Sequence, residues 1–146
     1  MQKRFNLMSI AAVVLFTAIT TVQLSDAQIT NQIQANISHP FVIGNTTLPP
    51  GQYDFRMLPG SDLTVMTVRS ADNKIGEEFL VRTSQDTTTP QHSELVFNRY
   101  GDKEFLSKIY EGGSRIGVAV VEPSRQELRL QKQGQQPVEH AEAQSL

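Results

Sequence analysis

In a chain without cysteine, metal chemistry falls to histidine and carboxylate, and this sequence has three histidines, His39, His92 and His140. A metal site needs three or four ligands converging on one point. These three stand far apart, with no pair at the spacing that one helical face would gather, so no metal or cofactor site is expected. Acid–base chemistry needs carboxylates set close together, and the nearest grouping is Glu94, Arg99, Asp102 and Glu104. Alternating charges flank most hairpins, and Arg99 opposite Glu104 reads as an exposed cross-strand pair, so no catalytic residue is expected either. Hydrolase chemistry lacks its Gly-x-Ser-x-Gly elbow. Asp72-Asn73 and Asp102 lack the ligand-dense spacing of a calcium loop. The aromatic residues Tyr53, Phe55, Phe97, Tyr100, Phe105 and Tyr110 read chiefly as core, because aromatics dominate the interior of β-domains. Tyr100 and Tyr110 lie at strand ends near glycine. Together with Arg99 they form the candidate binding surface, where a ring could stack on a sugar or another protein.

The elements that position these residues follow a leader. Lys3 and Arg4 precede an uncharged run from Leu7 to Val22, and Ser25 and Ala27 place small side chains where a signal peptidase reads. Residues 1–27 are therefore expected to be a cleavable signal peptide, cut between Ala27 and Gln28. Thr17, Thr20 and Thr21 weaken the apolar run, which falls short of the ~20 residues that span a bilayer. No stable membrane anchor is expected after cleavage, and the protein should be periplasmic or secreted. Cleavage would leave residues 28–146, the size of one domain. The mature charge would be one unit more negative than the −2 of the whole chain, too mild and mixed for nucleic acid. Folding would rest on a hydrophobic core, since no disulfide is available.

Residues 28–36 are polar and amide-rich and read as a loose leader, with the β-domain at 37–133. Ile37, His39, Phe41 and Ile43 share one phase of a strand in which Pro40 demands an edge or a bulge. Gly44 to Thr47 reads as a turn, and Leu48-Pro49-Pro50-Gly51 as a corner. Tyr53, Phe55 and Met57 alternate with polar residues over the clearest strand in the chain. Leu58-Pro59-Gly60-Ser61 suits a type II turn. Strands over 63–69 and 75–82 follow, then a long loop from Thr83 to Ser93. Two strands, 94–100 and 104–110, meet at Gly101-Asp102, which fits a glycine-first two-residue hairpin loop. That register sets Phe97 opposite Leu106 and Arg99 opposite Glu104. A loop one residue longer would instead gather Leu95, Phe97, Phe105 and Ile109 on one face, so turn chemistry and hydrophobic pattern disagree, and the turn is preferred. After a last strand at 116–121, Ser124 and Glu127 make a capping box that opens one short helix to about Gln133. Residues 134–146 are too poor in large apolar side chains to repay the entropy of ordering and are expected to be disordered. The whole is expected to be all-β: a single antiparallel sandwich or barrel of about seven short strands with one short C-terminal helix.

Phe41-Val42-Ile43-Gly44-Asn45, Leu48-Pro49-Pro50-Gly51-Gln52-Tyr53, Leu95 to Asp102 and Phe105-Leu106-Ser107 together resemble a group of uncharacterised small exported proteins common in acidobacteria. The resemblance covers most of Ile37 to Leu130 and departs at Pro50, where alanine is usual. It implies a bacterial, exported setting and carries no activity. In that setting the glycosylation triplets Asn36-Ile37-Ser38 and Asn45-Thr46-Thr47 would go unused. Leu48 to Tyr53 also resembles a segment of carboxypeptidase-regulatory-like and collagen-adhesin B-type sandwiches, which implies a tyrosine packed as a strand begins. The function expected is non-enzymatic: binding to, or assembly with, an envelope or extracellular protein or glycan. The alternatives are a small-ligand carrier or sugar-binding module with an internal or inter-sheet cavity and, more remotely, a hydrolase.

Overall fold

The computed structural model describes residues 32–58 and 65–144. The signal segment with its Ala27/Gln28 junction and the turn at Pro59-Gly60 lie outside the described residues. The strands are β1 (Gln32–Ile37), β2 (Phe41–Ile43), β3 (Thr46–Leu48), β4 (Gly51–Met57), β5 (Val65–Ser70), β6 (Gly76–Gln85), β7 (Ser93–Tyr100), β8 (Lys103–Tyr110), β9 (Ile116–Val120) and β10 (Val138–Gln144). A helix, α1 (Arg125–Lys132), stands between the last two. The fold is all-β and sandwich-like, as the spacing of short strands and turns requires, and its sheet is not closed.

One layer is the antiparallel run β1-β4-β5-β6. β6 belongs to both layers: Gly76 to Leu80 pair with β5, and Val81 to Gln85 pair with β9. From β9 the second layer continues through β8 and β7 to β10. The far edge of β8 is shared, because β2 pairs with its first residues in parallel, setting Phe41 beside Glu104. This is a departure from an all-antiparallel expectation. Between the layers, Ile33, Tyr53, Phe55 and Val68 meet Leu95, Phe97, Leu106 and Ile109 in one buried cluster.

Three segments differ from the sequence reading. Residues 28–36 are not a loose leader throughout, since Gln32–Ile37 is a strand with Ile33, Ala35 and Ile37 buried. Its amides all lie on the outward phase, so composition hid the alternation. The single strand expected around Pro40 is two: the chain leaves the first layer at Ile37 and joins the second at Phe41, with the donor-less proline at the crossing. The tail is not disordered through 144. Val138–Gln144 is a seven-residue strand paired with β7, and a backbone ladder of this kind does not need large apolar side chains. Smaller differences are a strand, β3, within the expected Gly44 to Thr47 turn, and a loop of only 86–92 where Thr83 to Ser93 was expected.

The β7–β8 hairpin resolves the conflict between turn and pattern. Phe97 faces Leu106 and Arg99 faces Glu104 across a two-residue loop whose Gly101 has φ +63. A register shift between Val96 and Phe97 then sets Leu95 opposite Ile109, with Ser107 as the extra residue. A bulge thus keeps the register set by the turn and still brings Leu95, Phe97 and Ile109 of the expected apolar face together, with Leu106 in place of Phe105. Leu95, Phe97, Leu106 and Ile109 enter the main core, while Phe105 turns to the opposite face and packs with Tyr100 and Val42 under Leu130 of α1. Ser124 caps α1 by accepting from the Glu127 N–H at 3.0 Å.

Candidate functional site

The two layers meet without a ladder at the seam between β1 and β10. There the Asn36 N–H donates to Gln144 Oε1 at 2.9 Å, one of the side-chain ties that replace strand pairing. β10 is laid on β7 so that His140 faces Phe97 and Glu142 faces Leu95. Directly opposed residues share a face, and Phe97 and Leu95 are fully buried, so His140 and Glu142 point to the core side at its rim. His39 approaches from the β1–β2 crossing, its Nε2 2.7 Å from Glu142 Oε1. His140 Nε2 is 3.9 Å from the same oxygen. Both imidazoles lie against Phe97, with ring centroids 5.1 and 6.3 Å from its own. The sequence argument that nothing gathers the histidines is therefore corrected. His39 and His140 come together, with centroids 5.8 Å apart, and His92 stays in the 86–92 loop.

Behind them sits the charge pair of the hairpin. Arg99 Nε donates to Glu104 Oε1, which also faces His140 Nδ1 at 3.1 Å. The pairing was legible in the sequence, but its setting was not, because Glu104 is only 5% exposed. Its second oxygen, Oε2, is buried and has no hydrogen-bond partner among the described residues. An orphaned carboxylate oxygen of this kind is costly and calls for a ligand, a water or an ion.

The tyrosines expected to present a binding surface do not. Tyr100 is 4% and Tyr110 2% exposed. Tyr100 stacks edge-on against Phe105, accepts from Gln131 Nε2 at 3.0 Å and donates to Glu127 Oε1 at 3.4 Å. Tyr110 shares a 3.0 Å hydrogen bond with Ser84 Oγ. Gly101 beside Tyr100 marks an open positive-φ turn, whereas Tyr110 lies opposite Gly117, where a Cβ would strike its ring. Of the three candidate residues, Arg99 alone reaches solvent, with 40% of its side chain exposed, and it is engaged with Glu104.

Glu127 departs from a full capping box. Its carboxylate turns inward to accept from Asn98 Nδ2 at 2.8 Å, and burial raises its pKa against the opposing pull of that bond and the Tyr100 hydroxyl.

Two surface features complete the picture. Where β6 passes between layers, Val65, Phe79, Leu80 and Val120 line a shallow groove of about 320 Å³, with Glu78 and Glu122 on its walls. Leu80 and the adjoining Val121 are 44% and 43% exposed, and the Val121 N–H donates to the Leu80 carbonyl at 2.9 Å. On the outward phase of β1 and β4, Gln34, Asn36, Gln52 and Asp54 line an open depression of about 320 Å³ beside Gln144. Compared with family models, with curated proteins and with solved structures, the chain matches none.

Proposed function

We propose that this protein is an exported, non-enzymatic β-domain that works by binding a protein partner in the periplasm or outside the cell. The observation that carries the reading is the groove at the β6 crossing, where Leu80 and Val121 leave apolar surface in contact with water next to Phe79 and Val120. Apolar surface gathered at one place on a protein of this size marks an interaction site more often than isolated exposed residues do. Glu78 and Glu122 on the groove walls suit a partner whose apolar anchor is flanked by basic residues. Export is supported by the signal-like residues 1–27 and by the resemblance to small exported bacterial proteins. The space between the layers is filled by side chains such as Phe41, Phe55 and Phe97, so binding is assigned to the surface. A photoreactive amino acid in place of Leu80 should give one discrete adduct in the native host, weakened by Val121→Asp and absent when the probe replaces Arg129 on α1. No adduct above the position-129 background, or an adduct indifferent to Val121→Asp, would overturn this reading.

A second reading has its own observation. The depression lined by Gln34, Asn36, Gln52 and Asp54 gathers three amides and a carboxylate, the kinds of donor and acceptor that hold sugar hydroxyls. Glycan binding there should be lost in Asp54→Ala and unaffected by Leu80 substitutions.

A further inference from the structure

We propose that His39, His140 and Glu142 bind one divalent first-row transition-metal ion of the zinc type at the β1–β10 seam. The inference is independent of the groove. The ligand atoms of the three side chains all lie within 4.8 Å of one another. A tetrahedral ion with bonds of about 2.0–2.1 Å spaces its ligands about 3.3 Å apart. The separations seen from Glu142 Oε1, 2.7 Å to His39 Nε2 and 3.9 Å to His140 Nε2, fall on either side of that value. All three side chains are half-buried, between 18% and 28% exposed, so an ion can reach them while their rotamers stay packed.

The second observation is what lies behind each imidazole. A metal-binding histidine presents one nitrogen to the ion and gives the N–H of the other to a fixed acceptor, which sets its tautomer. His39 Nδ1 lies 3.2 Å from the Pro40 carbonyl oxygen, and His140 Nδ1 lies 3.1 Å from Glu104 Oε1. Both rings thereby turn Nε2 toward Glu142. Arg99 Nη2 also touches His140 Nδ1, and because arginine only donates, that contact belongs to the opposite tautomer. Loading the ion selects the Nδ1–H form of His140 and leaves Arg99 on Glu104 alone. Charge points the same way: the cluster holds two carboxylates, Glu104 and Glu142, and one arginine, Arg99 on Glu104, so with neutral imidazoles it is one unit negative and a dication is electrostatically welcome. Nitrogen-rich, sulfur-free ligation favours zinc, copper or nickel over calcium or magnesium.

The test is isothermal titration of the purified, chelator-stripped protein with zinc chloride at neutral pH, with calcium chloride as the second titrant. One equivalent of zinc should bind and calcium should not. His140→Ala and Glu142→Gln should each weaken zinc binding at least about tenfold, and Glu104→Gln about tenfold through His140. His92→Ala should leave it unchanged. In case a variant at the seam fails to fold, cobalt(II) added to the wild-type protein should give the intense visible bands of a four-coordinate site, displaced by zinc. Zinc binding weaker than about millimolar, binding equal in the wild type and the ligand variants, or a cobalt spectrum that stays that of the free hexa-aqua ion would each overturn the proposal.

Discussion

Replacing Arg99 by alanine tests the buried charge pair directly. Were Arg99 and Glu104 an exposed hairpin pair, the loss would be about 0–1 kcal/mol. The structure places Glu104 at 5% exposure with its charge held by Arg99 Nε and His140 Nδ1, and Oε2 has no hydrogen-bond partner among the described residues. Taking away one partner of a fully buried pair costs about 3–5 kcal/mol, and a hydrogen bond to a charged group is worth about 1.5–3 kcal/mol. With 40% of the Arg99 side chain exposed, water can enter the space it vacates, so the lower range applies and Arg99→Ala should cost about 1.5–3 kcal/mol. In a Glu104→Gln background the charge is gone, and the same substitution should cost at least about 1 kcal/mol less. The chain has no tryptophan, so urea unfolding is best followed by far-ultraviolet circular dichroism with chelator present, across the four proteins of the cycle. A loss under about 0.5 kcal/mol, or equal losses in both backgrounds, would show that Glu104 does not depend on Arg99 and that the reasoning from burial is wrong.

Two further predictions concern backbone and helix. At Gly101 a Cβ meets open space and only the φ of +63 resists it, so Gly101→Val should cost about 1–3 kcal/mol and Gly101→Asn clearly less. At Gly117 a Cβ would run into the Ile109 carbonyl oxygen and the Tyr110 ring, so Gly117→Ala should cost at least about 2 kcal/mol by forcing β9 from β8. Urea melts that find Gly101→Asn more stable than Gly101→Val, and Gly117→Ala among the least stable, would agree; a silent Gly117→Ala would not. Burial raises the Glu127 pKa above its ordinary value of 4.5, so the native state holds its proton more tightly than the unfolded chain does. Its contribution to stability therefore falls as pH rises from about 4.5 through the folded value, and Glu127→Gln, which keeps the acceptor for Asn98 and Tyr100, should remove that slope. Charge at the third helical position gains some of the cost back from the helix dipole, so the variant should be within about 1 kcal/mol of wild type at neutral pH. Urea melts in which the stability of wild type relative to Glu127→Gln rises, rather than falls, from acid to neutral pH would count against it.

Local signals determined much of this chain. Tyr53 and Phe55 alternate with polar neighbours and both enter the core, Tyr53 donating to the Pro49 carbonyl at 2.6 Å, as its position after the Pro-Pro-Gly corner demands. Gly101-Asp102 fixed the hairpin loop and the Arg99 to Glu104 register, and Ser124 fixed where the helix starts, because turns and caps are decided by residues a few positions apart. What only the tertiary structure decided is where polar strands go and which polar side chains meet. β10 carries His140, Glu142 and Gln144 on its inward phase, a pattern that reads as solvated until a partner strand and a facing crossing are known. His39 and Glu142 are 103 positions apart, and their contact exists because Pro40 sends the chain across the layers just where β10 arrives. The same holds for Tyr100 and Tyr110. Glycine near a strand end is compatible with an open turn or with a strand packed against a ring, and only the β8–β9 pairing at Gly117 closes the space above Tyr110. Burial is a property of what the rest of the fold lays over a residue, and a linear pattern reports only the face on which that residue stands.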